Sequence, residues 1–385
     1  MTVEFYWRLP LHGCHGNLAK TANRGDWTPL RAGNIAPGLR DGEPDGIPFI
    51  NHAAEIAKAA EISGFSGALV ISFPQTEEAW AVSAALARET KTLNFLIAFQ
   101  PNFIHPVHAA QKAASLQRAT GGRVEWNIIT GGGGPSQRWY GDYLPHADRY
   151  NRTREFLEVV KAEFKGEPYD FNGKIFQVEG GGLQAPHSLE KLPKLFLSGS
   201  SDNATAVAAD HADLQLNWLE PIEQVRENIL KIQERSAAAG RKAGYALRIE
   251  ILARRTEEQA WREVARAWER LTPEDIEARF AAGPAESVGA ARQRSFRPDG
   301  ARHWQDLKVG PARWGGFNLL RGGPGVGLVG SYQQVAEQLN ELIDLGVTSF
   351  ILAGSPHLEE SYRVGEEILP LLRQRPAAAN RHAAE

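Results

Sequence analysis

"VEWNIITGGGG", residues 124–134, runs a short apolar segment straight into four consecutive glycines. The segment reads as a strand, and the glycines as bare backbone placed directly at its end. Such backbone can cradle a phosphate, pass beneath a flat ligand, or form a slack loop. The rest of the chain has to decide among these.

Seven further runs resemble it: "VEFYWRL" from Val3, "GALVIS" from Gly67, "LNFLIAF" from Leu93, "KLFLS" from Lys194, "ADLQLNW" from Ala212, "LRIEILA" from Leu247 and "TSFILAG" from Thr348. Helical patterns separate most of them. Apolar stripes at three-to-four spacing mark Ala53–Ser63, Pro106–Thr120 and Tyr332–Gly346, the last ending at a glycine suited to a left-handed cap. Strands joined by crossover helices are parallel, and eight of them predict a closed (β/α)8 barrel, an α/β TIM barrel, over an open sheet. Three stretches exceed the bare repeat, about residues 17–51, 131–150 and 272–330. Each follows a strand, so each is expected on the C-terminal face, where such barrels carry their sites. One domain over residues 1–375 is expected, with 376–385 a frayed tail.

Composition narrows the class. The 385 residues are 42% hydrophobic and 23% charged, with a net charge of −3, which is ordinary for a folded protein and gives no basic stripe for nucleic acid. The lone Cys14 excludes an internal disulfide framework. No basic n-region with a long apolar stretch opens the chain, and no run approaches a membrane span, so a cytoplasmic location is expected.

No Gly-Lys-Ser/Thr follows the glycine run, which excludes a Walker loop, and the spacing is not that of a dinucleotide fingerprint. A second polar strand end, "LFLSGSSDNATAVAADHA" from Leu195, places Gly199, Ser200 and Ser201 before an alanine-rich helix. That is either a plain N-cap or an anion site. Alternation in "LRIEIL" puts Arg248 and Glu250 on one face of a strand, as an internal ion pair or as lumen groups at the mouth. Arg321 sits in a glycine-dense loop, solvated or able to close over an anion. His12 ends the first strand, His357 the eighth and Trp218 the sixth, each with a structural alternative in a turn or in the core. No metal-ligand spacing, carboxylate pair or Gly-x-Ser-x-Gly elbow appears, so the chemistry has to come from a cofactor.

Several motifs together resemble the flavin-dependent alkanesulfonate monooxygenases of the bacterial luciferase-like superfamily. They are "NIITGG…HADRYNRTREFLEVVKAEFKGEPYDFNGKIFQVEG", "LFLSGSSDNATAVAADHADLQLNWLEP", "LLRGGPGVGLVG" and "SPHLEESYRVGEEILPLL". The likeness runs from about Val3 to Leu372. It implies a TIM barrel with an insertion after the seventh strand. It also implies reduced FMN from a separate NAD(P)H-dependent reductase, oxygen as co-substrate, and a flavin peroxide that cleaves a carbon–sulfur bond to sulfite and an aldehyde. By resemblance Asn127 and Thr130 contact the flavin, with Tyr150, Gly199, Ser200 and Ser201 around its phosphate. Arg248 is then the key active-site arginine and Arg321 the loop arginine over the sulfonate. His12, Trp218 and His357 fall at pocket positions, and a homodimer or homotetramer is implied.

Departures from that family bear on the substrate. Glu250, Ser355, Thr76 and Gln100 stand where members acting on simple alkanesulfonates have histidine, tyrosine, cysteine and arginine. Losing the phenol enlarges the pocket, and carboxylate and amide groups are natural partners of hydroxyls. The expectation is a sugar sulfonate such as sulfoquinovose, bound by Gln100, Glu250, Ser355 and His357. A short alkyl chain and a non-sulfonate substrate are the alternatives.

Overall fold

The structure, a computed structural model, is described over residues 2–11, 48–74, 76–188, 190–269, 271–281, 287–298, 300–320 and 323–372. His12, Cys14, Arg321, nearly all of the first insertion and the tail lie outside these residues.

All eight expected runs form parallel strands. In chain order they are β1 (Glu4–Leu9), β2 (Gly67–Val70), β3 (Asn94–Phe99), β4 (Val124–Ile129), β7 (Lys194–Ser198), β8 (Leu214–Trp218), β9 (Gly244–Arg254) and β13 (Ser349–Ala353). Each pairs with the next, β13 returns to β1, and β8–β9 pairing completes the ring, so the sheet is a closed barrel. An antiparallel hairpin, β5 (Tyr169–Asn172) and β6 (Gln177–Gly181), interrupts the repeat between β4 and β7. The sequence reading did not separate it as strands.

Helices take up the connections. The helix over Pro106–Thr120 starts on a proline and stops at Gly121 in the left-handed region, φ 67°. The helix over Tyr332–Leu345 opens with a Ser331/Gln334 capping box and ends at Gly346, φ 109°. Such a cap contributes about 1 kcal/mol. The first helix among the described residues spans Phe49–Ile62, starting earlier than its alanine stripe suggests.

Strand alternation sorts the side chains into two environments. Outward residues build the core against the helices: Phe5 stacks on Phe350 at 5.2 Å, and Trp126 meets Phe99 edge-on at 5.0 Å. Inward residues mix polar with apolar side chains, the register setting Leu96 beside Glu125 and Ile351 beside Arg248. At the N-terminal end of the lumen Glu4 accepts from Ser349 at 3.0 Å and pairs with Lys194, while buried Glu125 accepts from Asn94 at 3.4 Å.

The third insertion is more ordered than a loop. It holds helices over Pro273–Ala281 and Val288–Ser295, short strands β10 (Lys308–Gly310) and β11 (Arg313–Trp314), and β12 (Gly327–Ser331). β9 has 11 residues. One edge of its first half carries β8 (Gly244 to Arg248), and β12 continues along the second half (Glu250 to Arg254). The segment read as the end of a lid loop is thus a strand of the sheet.

Candidate active site at the C-terminal face

Four polar groups converge where β4 and β7 end. Asn127, on β4, accepts from Ser198 Oγ through its side-chain oxygen at 2.6 Å, which leaves its amide N–H groups for another partner. Thr130 follows the strand, is buried, and meets Thr153 Oγ1 at 3.3 Å. Thr153 spends its own proton on the Arg149 carbonyl, so Thr130 is the donor of that pair and keeps its lone pairs.

Ser201 caps the helix over Asp202–His211, accepting from Ala204 N at 3.1 Å and donating to Tyr150 Oη at 3.1 Å. Tyr150's phenol proton therefore remains for a further acceptor. Burial raises Tyr150 above the usual phenol range, against smaller opposing effects of Ser201 and the Arg149 charge, so the group stays a donor. Gly199, at φ 149°, keeps this corner open: a Cβ there would sit 2.8 Å from Ala204 Cβ and 3.2 Å from the Tyr150 oxygen. Asp202 in the helix's first turn would oppose an anion, but Lys231 pairs with it.

Ser200 has a neighbour that the sequence reading missed. Ser287 caps the helix over Val288–Ser295, and a Cβ on Gly289 would lie 3.4 Å from Ser200 Oγ and 4.0 Å from Trp218 Cε3. The insertion thus folds a second helix start onto this corner. No local motif signals that contact; it joins segments 89 positions apart.

The other side of the mouth is charged. Arg248 and Glu250 share the inward face of β9, with Arg248 Nη2 donating to Glu250 Oε1 at 3.2 Å. Arg248 lies level with Trp218 across the sheet. Among the described residues its buried Nε has no hydrogen-bond partner, and neither has Ser355 Oγ just after β13. Of the two uses weighed for Arg248 and Glu250, the ion pair is present, and it stands at the mouth: a Cβ on Gly323 would lie 3.1 Å from Arg248 Nη2 and 3.4 Å from Glu250 Oε1. The glycine-rich loop therefore rests on the pair two residues after Arg321. His357, buried at the start of the last helix, meets Arg8 Nη1 through Nε2 at 3.4 Å, and its carbonyl accepts from Trp7 Nε1.

Gln100 is engaged differently. Its side-chain oxygen accepts from Gln137 at 3.0 Å, and Gln137 also donates to Asp142, which Arg152 holds with two bonds of 3.0 and 2.5 Å. Those bonds fasten the loop after β4 to the end of β3. Gly131 holds φ 101°, a backbone conformation that favours glycine, and a Cβ there would also displace the Gln137 amide, 2.1 Å away. Among the described residues, no group of three or more His, Cys, Asp or Glu is placed to hold a metal ion, and no helix is long and apolar enough to cross a membrane.

A closed eight-stranded barrel with polar strand ends around a capped helix start on one side and an arginine–glutamate pair on the other has the fold of the luciferase-like flavin-dependent monooxygenases. The family described as luciferase-like monooxygenase matches residues 31–349, and the chain belongs to it. Solved structures of similar fold include a riboflavin lyase, with a TM-score of 0.74 at 18% identity over 98% of this chain and 93% of that one. The EDTA monooxygenase of Chelativorans sp. BNC1 gives 0.72 at 18% identity, covering 97% and 94%. A long-chain alkane monooxygenase gives 0.73 at 18%, covering 96% and 91%. These proteins differ in what they act on, so the likeness speaks for the fold.

Proposed function

We propose that this chain is the oxygenase of a two-component system that desulfonates an organosulfonate, taking a sugar sulfonate such as sulfoquinovose over a simple alkyl chain. The observation that carries the reading is the Arg248–Glu250 pair at the mouth of the lumen beneath Gly323. The cation suits an anionic head, and the carboxylate suits hydroxyls.

The residues fit reduced FMN. Tyr150, Ser200 and Ser201 at the start of a ten-residue helix would hold its phosphate, with Gly199 leaving room, and Asn127 and Thr130 would contact the ring system. When bound, reduced FMN supplies the two electrons that activate oxygen. Overall, a sulfonate on a CH2 carbon, oxygen and reduced FMN give an aldehyde, sulfite, water and oxidised FMN. One oxygen atom enters the aldehyde and the other leaves as water.

Arg248 neutralises charge at the sulfonate and on the departing sulfite. Arg321 supplies a second cation from the glycine-rich loop. That loop, with Trp218 and the segment after β4, keeps water from the reacting centre. His357, just past the end of the last barrel strand, lines the same mouth, and the family resemblance gives His12 a pocket role. Ser355, lacking the phenol that a tyrosine would bring, leaves volume for a ring-sized substrate. A flavin reductase as partner and a dimeric or tetrameric assembly belong to the same proposal and rest on the family resemblance.

The test is sulfite release by the purified protein with a flavin reductase, NADH, FMN and oxygen, comparing sulfoquinovose with methane- and octanesulfonate. Sulfite from the sugar alone is the expected result. Sulfite only from the alkyl chains replaces the sugar with the simpler substrates. No sulfite from any of them removes desulfonation.

A further inference from the structure

Thr130 and Tyr150 stand on different elements, and side chains between them fix their separation. Tyr150 rides on the helix over His146–Glu163, and two residues just after it, Arg152 and Thr153, tie that helix back to the strand ends. Thr153 meets Thr130 at the end of β4, 3.3 Å away. Arg152 reaches the end of β3 by a longer route, through Asp142 and Gln137 to Gln100. Asp142 is the hub of that route. Its Oδ1 accepts from Arg152 Nη1 at 3.0 Å and from Leu144 N at 3.3 Å. Its Oδ2 accepts from Arg152 Nη2 and Gln137 Nε2, each at 2.5 Å. The side chains of Arg152 and Asp142 are only 9% and 1% exposed, so this is a buried ion pair with the carboxylate fully engaged.

A buried ion pair adds little net stability, because desolvating both charges offsets most of their attraction. It does supply direction. A guanidinium fork meets a carboxylate in one plane through two bonds, whereas apolar side chains in the same place slide past one another. We propose that Asp142, Arg152 and Gln137 are positioning residues of the cofactor site. They hold the start of the Tyr150 helix where the phenol reaches the FMN phosphate while the ring system lies against Asn127 and Thr130. Gln100, expected on the substrate, is the outer anchor of this brace. Tyr150 tolerates little displacement, since its oxygen stays 3.1 Å from Ser201 Oγ while its proton meets the ligand. The inference rests on the proposed reading of Asn127, Thr130 and Tyr150 as FMN contacts and is independent of the substrate.

The experiment titrates FMN, and riboflavin as the same ring without the phosphate, by flavin fluorescence. The proteins are wild type, Gln137→Met, Arg152→Lys and the double variant Asp142→Leu/Arg152→Met. The double variant exchanges both charges for apolar groups, so its urea midpoint should stay near that of wild type, whereas removing one charge alone strands the other. The double variant is expected to bind FMN ~10-fold more weakly and to change riboflavin binding by less than about threefold, because the phosphate contact is what moves. Arg152→Lys keeps the charge without the fork and should lose part of the preference for FMN. Gln137→Met cuts the route to β3 and should lose FMN affinity about threefold or more. Equal losses for FMN and riboflavin in the double variant make these residues a general support of the fold and overturn the proposal. So does wild-type FMN affinity in a stably folded double variant. If the double variant unfolds, the FMN-to-riboflavin ratio of Gln137→Met decides in the same way. A wild type with no preference for FMN over riboflavin removes Tyr150 from the phosphate site, and the positioning role with it.

Discussion

Tyr150 shows how a single hydroxyl is committed by its neighbours. Its oxygen accepts from Ser201, which in turn accepts from Ala204 N, so the phenol proton has no assigned acceptor within that chain of bonds. Tyr150→Phe removes that donor and the acceptor of Ser201 together. We expect FMN to bind ~10-fold more weakly in a fluorescence titration, with a loss of stability of about 1 kcal/mol. Ser201→Ala removes the helix cap as well and should cost more stability, up to about 2 kcal/mol by denaturant unfolding. Equal FMN affinity in wild type and Tyr150→Phe would take Tyr150 out of the phosphate site. The cap at Ser201 and the shared face of Arg248 and Glu250 were legible because capping and alternation are local signals, whereas Asn127, Thr130 and Tyr150 entered only through the family resemblance. The partners of Glu4, Tyr6 and Arg8 were not legible, because alternation marks them as one face of β1 while only the register against β13 says what they meet.

At the scale of elements, β12 was the misjudged piece. "GVGLVG" has the composition of a loop, and glycine disfavours strands in general. Yet Gly327 lies opposite Glu250, where a Cβ would come within 2.4 Å of the Glu250 carbonyl oxygen and 2.6 Å of the Phe317 ring. The glycine is there for close approach, which propensity cannot reveal. Gly327→Ala should cost about 1–3 kcal/mol of stability. By shifting the Glu250 backbone it should also raise KM more than it lowers kcat. A melting temperature and KM equal to wild type would show that the strand yields without strain. The hairpin β5–β6 escaped notice for a related reason: half of its side chains are exposed and polar, so no apolar run announces it.

For the whole molecule, the eight barrel strands and their order followed from counting apolar runs between helices, because every such strand is covered on its outer face. The polar groups inside the barrel were less legible, since a lumen-facing polar residue in a strand resembles a surface residue. Glu125 is the clearest case. Burial lifts its carboxyl from near 4.5 to about 7, opposed by the Lys194 charge and reinforced by Glu4. Between those values the unfolded chain ionises while the folded one keeps its proton. Stability from this group therefore falls as pH rises from about 4.5 to about 7 and levels off above. Glu125→Gln should flatten that slope and gain on the order of 1–3 kcal/mol near pH 8, read from urea unfolding at a series of pH values. A slope unchanged by the substitution would assign the titration to another group.

The division of β9 between two partners has a consequence for any attempt to shorten this protein. Deleting the excursion after β9 would leave the ring itself paired but strip β12 from Glu250–Arg254. Alternate residues of this five-residue stretch would then present unsatisfied backbone groups along an open sheet edge, the template on which chains associate strand to strand. A minimal barrel cut from this sequence would accordingly be prone to aggregate, and the excursion guards solubility as much as it covers the mouth.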